Sequence, residues 1–84
     1  MKILTLKEAE KLMDPNGKLD INNKGYDDIE ELPNNLTYLN CSRNNLTQLP
    51  PLPNSLTQLS CYENNLTQLP PLPNSLTELY CNGK

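Results

Sequence analysis

The sequence has no tryptophan, no phenylalanine and no histidine among its 84 residues, and each absence narrows what the chain can be. Large aromatic rings normally fill much of a globular core, so leucine must supply most of the apolar packing. Without histidine, the chain lacks the commonest general base and the commonest metal ligand of proteins. We therefore expect no enzyme, no cofactor and no metal site.

Basic charge and long apolar runs are scarce as well. The net charge is −3, so no basic stripe favours a nucleic-acid partner. No run approaches the roughly 18 apolar residues of a transmembrane helix, which argues against a membrane partner. The N-terminal stretch MKILTLKEAEKLMDPNG lacks the apolar segment of a secretory signal. The sequence thus predicts a soluble protein with reduced thiols, which favours an intracellular location.

A repeat of twenty residues dominates what is present. Residues 36–55 read LTYLNCSRNNLTQLPPLPNS, and residues 56–75 read LTQLSCYENNLTQLPPLPNS. Such a repeat is typical of one structural unit stacked on copies of itself. Leu39 and Cys41 alternate with Tyr38 and Asn40, which predicts a strand with one inward and one outward face.

The repeat register extends beyond the two near-identical copies. Residues 16–35 keep apolar residues in five of the same columns, which indicates a degenerate first repeat, and residues 76–84 begin a further copy that stops inside it. We predict about three and a half repeats over residues 16–84, the last one truncated. The apolar residues of the first repeat are Leu19, Ile21, Tyr26, Ile29 and Leu32.

A short helix is predicted before the repeats. Thr5 and Glu8 have the spacing of a capping box. Asp14-Pro15-Asn16-Gly17 then ends the helix. We expect residues 1–15 to form a helical cap over the first repeat. Its apolar face is expected to comprise Leu6, Ala9, Leu12 and Met13.

The column pattern L-x-x-L-x-C-x-x-N-x-L resembles the leucine-rich repeat, which usually has leucine in place of the cysteine. The repeat length and the LPPLP segment look like the short bacterial class found in type III secreted effectors, which would imply delivery by non-classical secretion. The resemblance implies a right-handed α/β solenoid with a parallel concave β-sheet, a polyproline-like convex side and an N-terminal capping helix. The matching residues are Leu36, Leu39, Cys41, Asn44 and Leu46, then Leu56, Leu59, Cys61, Asn64 and Leu66.

Two columns have predicted structural roles. The amides of Asn44 and Asn64 are expected to pair with backbone groups of the buried turns. Cys41, Cys61 and Cys81 recur every twenty residues, but they lack the C-x-x-C spacing and the histidines of a metal site. Parallel side chains on neighbouring strands are expected to lie too far apart for an undistorted disulfide. We therefore interpret the cysteines as small apolar residues in a leucine column.

Two further patterns carry less weight. The Asn-Leu-Thr glycosylation patterns at Asn35, Asn45 and Asn65 arise from the repeat itself, and without a signal peptide we expect them to stay unmodified. The acidic run over residues 27–31 resembles a cation site, but a solvated convex face is the favoured interpretation.

The outward side chains of the strands are the candidate partner-binding surface. Three tyrosines cross it diagonally, and tyrosine is enriched at protein interfaces. A polar concave sheet that simply faces water is the competing interpretation. The predicted binding residues are Tyr38, Asn40, Arg43, Gln58, Ser60, Tyr62, Glu63, Glu78 and Tyr80, with Lys18, Asp20, Asn22, Ser42 and Asn82 on the same face.

The truncated last repeat gives a second candidate interface. Leu76, Leu79 and Cys81 form its apolar layer, and an edge strand is a template for pairing with another chain. Three explanations stand side by side: a fragment of a longer solenoid, an end-to-end homodimer, and an idealised or engineered array. The favoured interpretation is a fragment of a longer solenoid that binds another protein through the concave face. The alternative is a self-assembling structural unit.

Overall fold

The computed structural model describes residues 1–81 and contains one helix and six short strands. Asn82 and the end of the predicted last repeat lie outside the described residues. The elements in chain order are β1 (Ile3–Leu4), α1 (Leu6–Leu12), β2 (Lys18–Asp20), β3 (Asp28–Ile29), β4 (Tyr38–Asn40), β5 (Gln58–Ser60) and β6 (Glu78–Tyr80).

The larger sheet confirms the predicted solenoid. Strands β2, β4, β5 and β6 lie side by side in that order, and all of them are parallel. Leu19 pairs with Leu39, Leu39 with Leu59, and Leu59 with Leu79. Neighbouring strands therefore pair at equivalent positions of their repeats. A shift of one residue in this register would turn the leucines outward.

Helix α1 lies at the N-terminal end of this sheet. Thr5 caps it, because its hydroxyl accepts a hydrogen bond from the Glu8 backbone N–H at 3.2 Å. Ala9 is fully buried in the core, and Met13 packs against the core from the end of the helix. Leu12 does not join the predicted apolar face, since half of it is exposed. A seven-residue helix has only about two turns, and it buries the narrow stripe through Ala9 and Met13.

A second, two-stranded sheet on the convex side was not predicted from the sequence. Strand β1 pairs with β3, and the backbone N–H of Asp27 donates to the Lys2 carbonyl at 2.7 Å. Acidic side chains reinforce the pairing: Asp27 Oδ2 accepts from the Lys2 N–H at 2.8 Å, and Glu30 Oε1 accepts from the Leu6 N–H at 3.4 Å. Part of the acidic run therefore anchors the N-terminal segment instead of only facing solvent.

Burial in the leucine columns decreases along the solenoid. Leu39 and Leu59 are fully buried, whereas Leu79 in the same column is 39% exposed. Leu32 is 4% exposed, and Leu72, two repeats later in its column, is 45% exposed. A layer of a solenoid is fully buried only when another layer packs on each of its two sides. Within residues 1–81 the last layer has a neighbour on one side.

The cysteine column corrects the expectation of reduced thiols. Cys61 and Cys81 form a disulfide, whereas Cys41 is a free, buried thiol. The expectation that parallel side chains lie too far apart is wrong for this pair. The Cα atoms of Cys61 and Cys81 are 4.6 Å apart, within the range that a disulfide bridges, and the two side chains are joined. The inference of an intracellular location, which depended on reduced thiols, is therefore withdrawn.

Candidate binding surface

The outward side chains of the larger sheet form two rows, which we call the concave surface. The first row runs Lys18, Tyr38, Gln58, Glu78 from β2 to β6, as the strand pairing shows. The second row, from the same pairing, runs Asp20, Asn40, Ser60, Tyr80. These rows contain six of the nine predicted binding residues. The other three, Arg43, Tyr62 and Glu63, follow the ends of β4 and β5, and we include them in the concave surface.

Tyrosine rings on the concave surface are positioned by neighbouring charges. The Lys18 ammonium lies 5.3 Å from the Tyr38 ring centroid, and the Arg43 guanidinium lies 5.1 Å from that of Tyr62. Cations at these distances are attracted to the ring face. The rings are thereby held over the sheet, with part of each still accessible.

Tyr80 is the most exposed tyrosine of the concave surface. Its side chain is 54% exposed, and its hydroxyl donates to Glu78 Oε1 at 3.1 Å. That hydrogen bond raises the pKa of Tyr80, because ionisation would place a phenolate beside a carboxylate. Tyr80 therefore presents a neutral ring with a fixed hydroxyl.

Ser60 differs from the other predicted binding residues because it is only 8% exposed. Its hydroxyl lies 2.8 Å from the hydroxyl of Ser42, which is fully buried and also accepts from the Tyr62 N–H. The two serines tie neighbouring repeats together and offer little to a partner. In the column of Ser42, Asn22 Oδ1 is buried without a hydrogen-bond partner among residues 1–81.

The rim of the concave surface is formed by residues with left-handed backbone conformation. Arg43 has φ of 56° and Glu63 has φ of 54°, and their side chains form an ion pair at 3.4 Å. Asn23 occupies the same column with φ of 57°. Such a conformation costs a side-chain-bearing residue roughly 1–2 kcal/mol. Stacking thus imposes the same left-handed turn on all three repeats, although the residue at this position differs from one repeat to the next.

The column asparagines lie directly beneath this rim. Asn44 Oδ1 accepts from the Tyr26 N–H at 2.9 Å, and its Nδ2 donates to the carbonyls of Ile21, Cys41 and Ser42. Asn64 Oδ1 accepts from the Leu46 N–H at 2.9 Å. Each amide therefore joins its own turn to the preceding repeat.

The predicted self-association edge is partly exposed. Leu76 and Cys81 are half-buried, and Leu79 is more open than its buried counterparts Leu39 and Leu59. Cys81 is occupied by its disulfide, so the free apolar part of this edge is leucine alone.

One groove lies on the convex side, away from these residues. It has a volume of about 480 Å³ between Ile3, Asp28–Ile29 and Pro50–Pro51. In the described part of the chain, no three cysteine, aspartate or glutamate side chains lie close enough to share a metal ion. No helix within residues 1–81 has the length and apolarity needed to cross a membrane.

The comparison with protein families agrees with the repeat geometry. A family model of leucine-rich repeats in two copies matches residues 34–74, just under half of the chain. Residues 34–74 are thus similar to leucine-rich repeats. Repeats of this family are typically non-enzymatic modules that bind proteins. Neither a curated protein nor a solved structure matches the chain significantly.

Proposed function

We propose that the concave surface of these leucine-rich repeats binds a protein partner. The observation that carries the proposal is three accessible tyrosines beside the aligned polar rows of a parallel sheet, namely Tyr38 on β4, Tyr62 two residues after β5 and Tyr80 on β6. They do not form the expected diagonal, because Tyr62 lies further along its repeat than Tyr80. Tyrosine supplies apolar contact area and a polar hydroxyl at little entropic cost, which suits a recognition surface. Asn40 and Gln58, each half-buried, add amide groups for hydrogen bonds.

The finer likeness, to the short repeats of type III secreted effectors, rests only on the twenty-residue period and the LPPLP segment. Neither feature indicates which protein the chain binds. We therefore propose a protein-binding module without specifying its partner.

The concave-surface proposal is tested with Tyr62→Asp and a matched control. The chain is immobilised, and displayed random peptides are selected on it. Thr67→Asp adds the same charge at an exposed position on the convex side. We expect enriched peptides to lose binding to Tyr62→Asp and to keep binding to Thr67→Asp, with both variants showing the parent circular dichroism spectrum. Peptides that bind Tyr62→Asp as well as the parent would refute the proposal.

We propose self-association through β6 as the second candidate, because the apolar side chains of the last described layer are exposed. Leu69, Leu72 and Leu79 are 36%, 45% and 39% exposed, whereas the preceding members of their columns are buried or half-buried. Helix α1 covers the other end, so pairing through β6 would close as a two-fold dimer.

Light scattering over a wide concentration range tests this second candidate. We expect a dimer that Leu79→Lys converts to a monomer. Leu12→Lys places the same charge on the half-exposed leucine of α1 and is expected to leave the dimer intact. A parent chain that is monomeric at every concentration would exclude self-association of the 84-residue chain.

A further inference from the structure

The first row of the concave surface has opposite charges at its two ends. Lys18 on β2 and Glu78 on β6 occupy the same position of their strands, and Tyr38 and Gln58 lie between them. Both charged side chains are exposed, and within residues 1–81 neither forms a salt bridge. The row therefore presents an ammonium group at one end, beside the Tyr38 ring, and a carboxylate at the other, which accepts from the Tyr80 hydroxyl; within residues 1–81 neither has an oppositely charged partner.

Other charged side chains lie near this row. The Asp14 carboxylate is the nearest to Lys18: its Oδ1 accepts from the backbone N–H groups of Asn16 and Lys18 at 2.9 and 3.0 Å, and it forms no ion pair with the Lys18 ammonium. Arg43 and Glu63 pair with each other at the rim. Asp20 lies in the second row, and its Oδ1 accepts a hydrogen bond from the Asn22 N–H at 3.0 Å. Its carboxylate is thus engaged at the end of β2, whereas Lys18 lies at the start of that strand.

The distance between Lys18 and Glu78 determines how far apart two complementary charges on a ligand must lie. Three strand spacings of roughly 4.8 Å place the ends of the row about 14 Å apart. An extended chain advances about 3.4 Å per residue, so four residues cover that distance. Residues four apart in an extended chain also point to the same side. A ligand segment crossing the strands thus brings residues i and i+4 over Lys18 and Glu78.

We propose that the concave surface binds an extended peptide segment with an acidic and a basic side chain four residues apart. The acidic side chain pairs with Lys18 and the basic one with Glu78, while the intervening residues contact Tyr38 and Gln58. This inference rests on the proposed function, because it specifies the ligand of the same surface.

The test is a selection from displayed nonapeptides in which positions 3 and 7 are each limited to Glu, Lys or Gln. For the parent chain we expect one Glu and one Lys to be enriched, in either order because the peptide can bind in either direction. Each matched end should contribute about two- to fivefold, as exposed ion pairs do. Lys18→Glu should shift the preference to two lysines, and Glu78→Lys to two glutamates.

The double variant Lys18→Glu/Glu78→Lys is the matched control. It restores opposite charges at the two ends, so the preference for one Glu and one Lys should return. Peptides that depend on Tyr62 but show no charge preference at these positions would refute this inference and leave the proposed function standing. Selection of no peptide at all would refute both proposals.

Discussion

At the scale of single residues, Asn44 shows how one amide satisfies a turn that has no regular backbone partners. Its side chain is 6% exposed and bonds to backbone groups on both sides of a repeat boundary. A buried backbone group left unpaired costs about 1–3 kcal/mol. Asn44 therefore stabilises the junction between its own repeat and the preceding one.

Asn44→Ala should destabilise the fold by about 3 kcal/mol or more, because several buried backbone groups would lose their partner at once. Urea unfolding followed by circular dichroism measures the effect. Asn45→Ala is the control, since Asn45 is exposed and only its backbone N–H is bonded, to Tyr26. It should change stability by less than about 0.5 kcal/mol. Equal effects of the two variants would contradict the role given to the Asn44 amide.

Cys41 should make stability depend on alkaline pH. Burial raises the pKa of its thiol from 9.0 to about 12. The folded chain therefore keeps the proton where the unfolded chain loses it, and stability falls as pH rises from about 9 towards 12. Between pH 8 and pH 10 the parent should lose about 1.4 kcal/mol more than Cys41→Ala. Urea unfolding at the two pH values checks this, and parallel losses would refute it.

At the scale of elements, proline explains why, within residues 1–81, only the first repeat contributes a strand to the convex side. Asp28–Ile29 of the first repeat pairs with β1, whereas the later repeats contain Pro50–Pro51 and Pro70–Pro71 in the neighbouring columns. Proline has no N–H to donate and fixes φ, so these segments cannot extend the small sheet. The prolines therefore confine β pairing on the convex side to the first repeat.

Thr5→Ala should remove the N-cap of α1 and cost about 1 kcal/mol, because the Glu8 N–H loses its acceptor. Thermal unfolding detects the change. Thr47→Ala is the control, because Thr47 is exposed and only its backbone carbonyl, which accepts from the Thr67 N–H, is bonded. A Thr5→Ala chain as stable as the Thr47→Ala chain would show that α1 does not contribute to the cooperative fold.

At the scale of the whole molecule, each repeat is stabilised mainly by the repeats stacked against it. Each layer is stabilised by the layer on either side, so the last described strand has the weakest support from packing. All three residues of β6 are exposed, and its covalent link to β5 is the Cys61–Cys81 disulfide. That bond holds the strand carrying Glu78 and Tyr80 in the concave surface.

Reduction should therefore destabilise the end of the solenoid first. The bond joins residues separated by 20 positions, and closing a loop of that size stabilises by about 3 kcal/mol. We expect faster hydrogen exchange in β6 after treatment with a phosphine reductant, with slower-exchanging amides retained in β4. Cys81→Ser should behave like the reduced parent and should not respond to the reductant. Unchanged exchange in β6 would refute the stabilising role.

Much of the fold follows from sequence because a twenty-residue period fixes which residues share a column. The register of Leu19, Leu39 and Leu59 follows from that period, and so does the placement of Tyr38 and Gln58 in one outward row. The buried Asn44 also follows, since a polar residue repeated inside an apolar pattern must satisfy backbone groups.

Tertiary structure decided what depends on contacts between side chains in different layers. Ser60 faces outward by period but is buried, because a small side chain between repeats is covered by its neighbours and bonds to Ser42. The pairing of Cys61 with Cys81 depends on local side-chain geometry between two layers, because Cys41 occupies the same column and stays free. The pairing of β1 with β3 joins residues with no shared period. The sequence by itself thus determined the repeating layer, and only the packed structure determined which side chains remain available at its surface and ends.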